Sequence, residues 1–352
     1  MSAERNLRVA RVLSISGDGA RTAIAAHVLA ELERRTGQPL HKLFHLVVGE
    51  GAGALLALLV SLRSAGGRAL PLDAEAAAIA IEEGLPAIQP RASWWQRAQK
   101  GLFSGPPPRR RHPAVSHSAS LTGADGLLGG ADLSSALTDL AIPVFDIANV
   151  RPFLFRSWKA QGLYLRQGEG AGRYEFRGNE IAAAALRHPL SGIESASIRA
   201  RSRAEFRLSG GGALAPDPVS LAALQARQLY RRANVVQTVS LSFGGQAQKG
   251  SVDWGQAGHR VLSQITAKGI AEQVVTLALP AGQANSFVAP QALQRQMRLL
   301  AQAFLANEEH NGFSALVEEF SNTRPLPHTA LRTPQIIQPS ASARDAGVLV
   351  AG

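Results

Sequence analysis

The stretch Val9-Ala10-Arg11-Val12-Leu13-Ser14-Ile15-Ser16-Gly17-Asp18-Gly19-Ala20-Arg21, followed at a helix-length interval by Phe44-His45-Leu46-Val47-Val48-Gly49-Glu50-Gly51-Ala52-Gly53, decides the fold. Val9 to Ser16 is a near-continuous apolar run, which predicts a strand buried on both faces and ending in a glycine turn. Ile24, Val28 and Leu32 then recur at helical spacing up to a stop at Gly37. Phe44 to Val48 predicts a second strand, and Gly49 to Gly53 leads into a nearly all-apolar helix from Ala54 to Leu62. Strand, helix, strand and helix joined by tight glycine turns predict an α/β fold with a mostly parallel central sheet covered on both faces. Ligands of such sheets sit beyond the carboxyl ends of the strands, where both glycine turns lie.

Working outward, residues 64–132 interrupt this pattern and read as an insertion or lid. They carry Ser93-Trp94-Trp95-Gln96-Arg97, Phe103, three prolines from Pro106, the run Arg109-Arg110-Arg111, and His112 and His117. Regular patterning resumes with two strands, Ala141 to Ile147 and Pro152 to Phe155, joined by a turn from Ala148 to Arg151. A strand near Phe206 runs into Ser209-Gly210-Gly211-Gly212. Asp217-Pro218 supplies an N-cap and first-turn proline for a helix through Arg231. Val235 to Phe243 predicts another strand, and Leu293, Met297, Leu300 and Phe304 an amphipathic helix. From Thr323 the chain is rich in Pro, Ser and Ala, so a domain over residues 7–321 with a flexible tail over 322–352 is expected.

Of the 352 residues, 45% are hydrophobic and 18% charged, which suits a large core and excludes collagenous or wholly disordered classes. The absence of cysteine removes disulfides, thiolate catalysis and Cys-based zinc sites. Lys and Arg number 37 against 26 Asp and Glu, and the resulting +11 favours anionic partners without choosing among them. The opening residues do not read as a signal peptide, and the longest apolar run, Ala52 to Leu62, is shorter than the roughly 20 residues a bilayer requires. A soluble, cytoplasmic protein without a cofactor is expected.

The motifs resemble those of the patatin-like phospholipase family, which carries a D-G-G-G-x-R-G oxyanion loop, a G-x-S-x-G elbow and a later D-G-[GA] motif. Ser16-Gly17-Asp18-Gly19-Ala20-Arg21-Thr22 matches the first, Gly49-Glu50-Gly51-Ala52-Gly53 the second, and Ser209-Gly210-Gly211 the third. The resemblance spans most of residues 9–320 and implies a patatin-like three-layer fold. It also implies chemistry in which a serine on the elbow attacks an ester, an aspartate acts as its base, and backbone N–H groups hold the oxyanion. Gly51 stands at the serine position and has no side chain to attack with. Ser209 stands at the aspartate position, where a hydroxyl cannot serve as a carboxylate base. The resemblance therefore implies an inactive homologue, a pseudoenzyme with a binding, regulatory or scaffolding role.

Three other readings compete with this one. Glu50 or a nearby hydroxyl, Ser14 or Ser16, could act as a displaced nucleophile in an active lipid acyl hydrolase. Against that, Glu50 should face away from its neighbour's side and reads as a paired structural carboxylate. The loop of Gly17, Asp18, Gly19, Ala20 and Arg21 could hold a phosphate or nucleotide through helix-start N–H groups and the arginine, although Asp18 repels an anion. Trp94, Trp95 and Phe103 with Arg109, Arg110 and Arg111 suit contact with an anionic phospholipid surface, against the plainer reading of a solvated loop. A protein partner is also compatible with the charge. Nothing points specifically to nucleic acid, and His112 and His117 lack a carboxylate partner for a metal site.

Overall fold

The computed structural model describes residues 8–63, 69–84, 126–187, 196–210, 218–243, 271–280 and 290–332. Eight strands form one sheet: β1 (Val9–Ile15), β2 (Leu46–Gly49), β3 (Asp139–Asp146), β4 (Arg151–Arg156), β5 (Ala196–Arg199), β6 (Glu205–Gly210), β7 (Val235–Phe243) and β8 (Ala271–Leu279). Their order is β5-β6-β3-β2-β1-β7-β8, with β4 also paired to β3. The core β3-β2-β1-β7-β8 is parallel, whereas β4 and β6 run antiparallel to β3. Helices of eight residues or more are α1 (Thr22–Thr36), α2 (Ala52–Ser61), α3 (Ala74–Gly84), α4 (Gly178–Ala185), α5 (Pro218–Leu229), α6 (Pro290–Ala306) and α7 (Phe313–Asn322).

Alternation along the strands sends side chains to two faces. Leu13, Ile15, Val47, Leu140, Ile142, Val239 and Leu241 pack in one cluster with apolar residues of α1, α2, α3, α4, α6 and α7. Val12, Leu46, Val48, Ala141 and Val236 pack on the other face against Leu221, Ala222, Ala226 and Leu229 of α5. The two clusters make a three-layer α/β architecture with both sheet faces covered. α2 is buried along its whole length, which is why its sequence is apolar on every side.

The structure narrows the expected insertion. Ala74, Ala77, Ala78 and Ile81 of α3 are buried, and α3 packs along α1; Leu128 and Ala131 are buried as well. α3 and the residues Leu128 and Ala131 therefore belong to the domain core. Residues 85–125 lie outside the described residues, and with them Trp94, Trp95, Phe103, Arg109, Arg110, Arg111, His112 and His117.

The expected tail also starts later than composition suggests. Residues Thr323 to Arg332 are fastened across the amino ends of the strands. Arg11 Nη2 donates to the Thr323 carbonyl at 2.9 Å, and its guanidinium stacks 4.0 Å from the Phe320 ring centroid. His45 Nε2 donates to the Leu326 carbonyl at 2.8 Å while its Nδ1 accepts the Arg11 N–H at 2.9 Å. Arg332 pairs with the buried Asp139 carboxylate, which also receives His328 Nδ1 at 3.4 Å and the Tyr230 hydroxyl at 2.5 Å. Leu331 is fully buried beside them. Burial alone would raise the Asp139 carboxyl, but the bonds and charges of His328 and Arg332 outweigh it and hold the pKa below its usual value. Residues 333–352 lie outside the described residues.

His45 must be neutral to accept from Arg11. Burial, reinforced by the charges of His328 and Arg11, lowers its pKa to about 4. The unfolded imidazole titrates near 6.5, so this group contributes stability that is complete above that pH and is lost as pH falls towards 4. The difference is on the order of 3 kcal/mol. Urea unfolding should therefore show stability dropping between pH 7 and pH 4. His45→Gln should be less stable at pH 7 and show a flatter slope across that window; an unchanged slope would remove His45 as the cause.

Candidate functional site

Two backbone turns meet at the carboxyl end of the sheet. β2 ends at Gly49, and Gly51 opens α2 with φ 56° and ψ −124°. This is a sharp strand-to-helix turn in a conformation that strains any residue with a Cβ. Gly53 N–H donates to the Glu50 carbonyl at 2.8 Å and Ala54 N–H to the Gly51 carbonyl at 3.1 Å, which winds the helix directly from the turn. The Glu50 N–H crosses to the Ile15 carbonyl at 3.1 Å and fastens the turn to β1.

The first glycine loop lies against this turn with no space between. A Cβ on Gly17 would stand 2.2 Å from the Glu50 carbonyl oxygen and 2.4 Å from the Ala52 nitrogen; one on Gly53 would stand 2.4 Å from the Ile15 carbonyl oxygen. Beyond Gly17 the chain makes a single 3-10 turn, Gly19–Arg21, before α1 begins. The helix-start N–H groups of α1 and α2, which lack partners within their own helices, thus lie at the same end of the sheet. Asp18 pairs with Arg21 through its carboxylate, and its N–H donates to Thr22 Oγ1 at 3.2 Å. Arg21 is therefore already engaged by the acid beside it.

The third motif reaches the same place by an unusual pairing. Alternate residues of a strand aim their backbone groups at opposite edges. Asp139 donates its N–H to the carbonyl of His45, just before β2, and Ile147, an even number of residues later, donates to the carbonyl of Arg207 in β6. β6 therefore docks on the same edge of β3 as β2, while β4 holds the opposite edge. Val48 faces Ala141 and Gly210 faces Val144, so the end of β6 follows the end of β2 along one edge. By the register, Gly49 and Gly210 are separated along it by about two residues, or about 7 Å. Ser209 is buried and donates its hydroxyl to the Arg187 carbonyl at 3.3 Å, beneath the end of α4.

The structure thus gathers Gly17, Asp18, Gly19, Ala20, Arg21, Gly51 and the Ser209–Gly210 end of β6 at one end of the sheet. Ser14 is completely buried within β1, and Glu50 is half-buried and engaged. Gly211 and Asp217 lie outside the described residues. Sequence reading missed the Asp139, Tyr230, His328 and Arg332 cluster. Asp139 lies 91 to 193 residues from its partners, and no local pattern marks them.

The two kinds of glycine should respond differently to substitution. Gly51→Ser meets nothing closer than 4.0 Å and bears only backbone strain, about 1–3 kcal/mol. Gly17→Ala drives a methyl into main-chain atoms that no side-chain rotation can clear, and should cost about 3 kcal/mol or more. Denaturant melts of both variants check this ordering; equal losses would contradict the close packing of the turns.

No protein-family model matches the chain. It is 29% identical to Patatin-like protein 2 of rice, Oryza sativa, over 237 residues, covering 64% of this chain and 54% of the rice protein. It therefore spans about half the length of that relative. Over a shorter 57-residue stretch, 16% of this chain and 18% of the relative, it is 42% identical to the cUMP-AMP-activated phospholipase of Escherichia coli. Among solved structures, the effector ExoU of Pseudomonas aeruginosa aligns over 90% of this chain and 54% of its own, with TM-score 0.36 and 16% identity. In sequence the chain is thus similar to patatin-like proteins over 64% of its length and, over the shorter stretch, to a bacterial phospholipase.

Proposed function

We propose that this chain is a patatin-fold pseudoenzyme, a binding, regulatory or scaffolding protein with the architecture of a lipid acyl hydrolase and without its ester hydrolysis. The observation that carries this reading is Gly51, which takes the sharp elbow conformation and presents no atom beyond the backbone. Acyl transfer through a covalent intermediate needs a nucleophile at that point and a base within hydrogen-bond reach. Ser209, at the position of the base, has a hydroxyl turned to the Arg187 carbonyl and cannot take a proton as a carboxylate would. The burial of Ser14 and Ser209 argues against either as a displaced nucleophile. The Asp18–Arg21 pair weighs against a phosphate at the first glycine loop, because the cation that would hold it is occupied.

Purified protein should show no phospholipase or carboxylic ester turnover above background and no labelling by a fluorophosphonate serine probe. Gly51→Ser alone should remain inactive. Gly51→Ser with Ser209→Asp should recover turnover if the backbone donors still frame an oxyanion. A labelled serine in the unmodified chain would overturn the reading and return the protein to the active hydrolases.

The same reading includes weak contact with anionic phospholipid through Trp94, Trp95, Phe103, Arg109, Arg110 and Arg111, motivated by their sequence alone. Among the described residues no helix is long and apolar enough to cross a membrane. Each basic residue near an anionic surface contributes roughly 1 kcal/mol, screened by salt. Liposome flotation should show binding that needs anionic lipid, weakens with salt and drops when the three arginines become alanine. Flotation indifferent to lipid charge would remove this contact.

A further inference from the structure

The β3–β4 hairpin carries the sheet past its glycine turns. β3 runs parallel to β2 with Ala141 opposite Val48, so Ile142 stands level with Gly49. Ile147 comes five residues later, about 17 Å further along the strand. The tip that follows, Ile147-Ala148-Asn149-Val150-Arg151-Pro152, is exposed at every residue. Ile147, Ala148, Val150 and Pro152 are apolar, and Val150, at 78%, is the most exposed large apolar side chain among the described residues.

The tip is fixed from both sides. The fully buried Asp146 carboxylate accepts the Asn149 N–H at 3.2 Å and the Asn149 side-chain amide at 2.7 Å. Ile147 N–H donates to the Arg207 carbonyl of β6 at 2.9 Å. Within this turn Val150 has φ 49°, a left-handed conformation that strains a β-branched residue and that glycine takes freely. An exposed side chain gains no burial in return for that strain. The fold alone thus gives no reason for valine at this position.

The charges around the tip are Arg151, 3.7 Å from Asp146, Glu205 paired with Arg199 on the adjoining β5–β6 strands, and the exposed Arg207. Three arginines stand against two carboxylates, on a chain whose net charge is +11. A specific protein partner covers roughly 800 Å² of each surface, and a six-residue turn offers a fraction of that. A bilayer needs no matching surface: a small apolar tip enters at headgroup depth, and cations beside it meet anionic lipid.

We propose that the β3–β4 hairpin tip docks on an anionic phospholipid surface, with Ile147 and Val150 among the headgroups and Arg151 and Arg207 at the lipid phosphates. Docking there turns the carboxyl end of the sheet, with both glycine turns, towards the lipid. The inference deepens the lipid contact of the proposed function without using Trp94 to Arg111, so either contact can fail alone.

The chain has no cysteine, so Val150→Cys in the full chain takes a single nitrobenzoxadiazole label. With phosphatidylcholine vesicles containing phosphatidylglycerol, its emission should rise, shift to the blue and be quenched by spin-labelled lipid. The same label on Leu299→Cys, an exposed apolar position of α6, should stay in water. Val150→Gly separates docking from folding: its unfolding midpoint should hold or rise as the strain is relieved, while vesicle affinity falls. Ile147→Asp with Val150→Asp should weaken affinity about tenfold or more. A label on Val150→Cys that stays in water overturns the proposal, and if vesicles still bind, the contact through Trp94 to Arg111 stands without it. Unchanged affinity of Val150→Gly, or a lowered midpoint that would give Val150 a role in the fold, overturns it as well.

Discussion

The carboxyl end of the sheet depends on two turns packed main chain to main chain. Gly17, Gly49 and Gly53 each stand where a Cβ would come within 2.2 to 2.4 Å of a backbone atom. Adjacent strands lie about 4.8 Å apart, and this packing extends that proximity past the strand ends into the loops. None of these contacts involves a side chain at Gly51. The elbow and the loop opposite it are thus held by geometry that is indifferent to whether a nucleophile is present, so the architecture can outlast the chemistry it resembles.

Much of this was legible in the sequence because it is written locally. β1 and β2 are apolar runs ending in glycine, α1 has a 3.6-residue apolar period closed by Gly37, and α2 is apolar throughout. The regions that escaped have other causes. α3 is built largely of alanine, whose small side chain makes a faint apolar stripe even where it is fully buried against α1. Residues 323–332 are rich in proline and look like a fraying end. Their order comes from Asp139 and His45, 193 and 281 positions from the residues they hold, and distant partners leave no local pattern. Asp139 itself reads as an ordinary strand-start acid until Tyr230, His328 and Arg332 are seen around it.

The third motif shows a further limit. Its place near Gly51 could be expected from motif order, but the means could not. It rests on β6 taking the edge of β3 that β2 leaves free, a choice set by the short β2 and by the β3–β4 hairpin filling the other side. The sheet is also unevenly covered. α5 rests on one face through Leu221, Ala222, Ala226 and Leu229, while the other six helices of eight residues or more pack on the opposite face.

The position of β1 has a consequence for how the chain comes together. It sits between β2, its near neighbour in sequence, and β7, which pairs with it from Val9↔Val235 to Ile15↔Leu241. A chain emerging from its amino end can lay β1 against β2 early, but the other backbone edge of β1 has no ladder partner until more than two hundred further residues have appeared. Open edges invite pairing with other chains, and contacts so distant in sequence form slowly. In the emerging chain β7 comes late, and β8, α6, α7 and the segment that Arg332 ties to Asp139 follow it. Until then the amino-terminal half is the portion most exposed to misassociation.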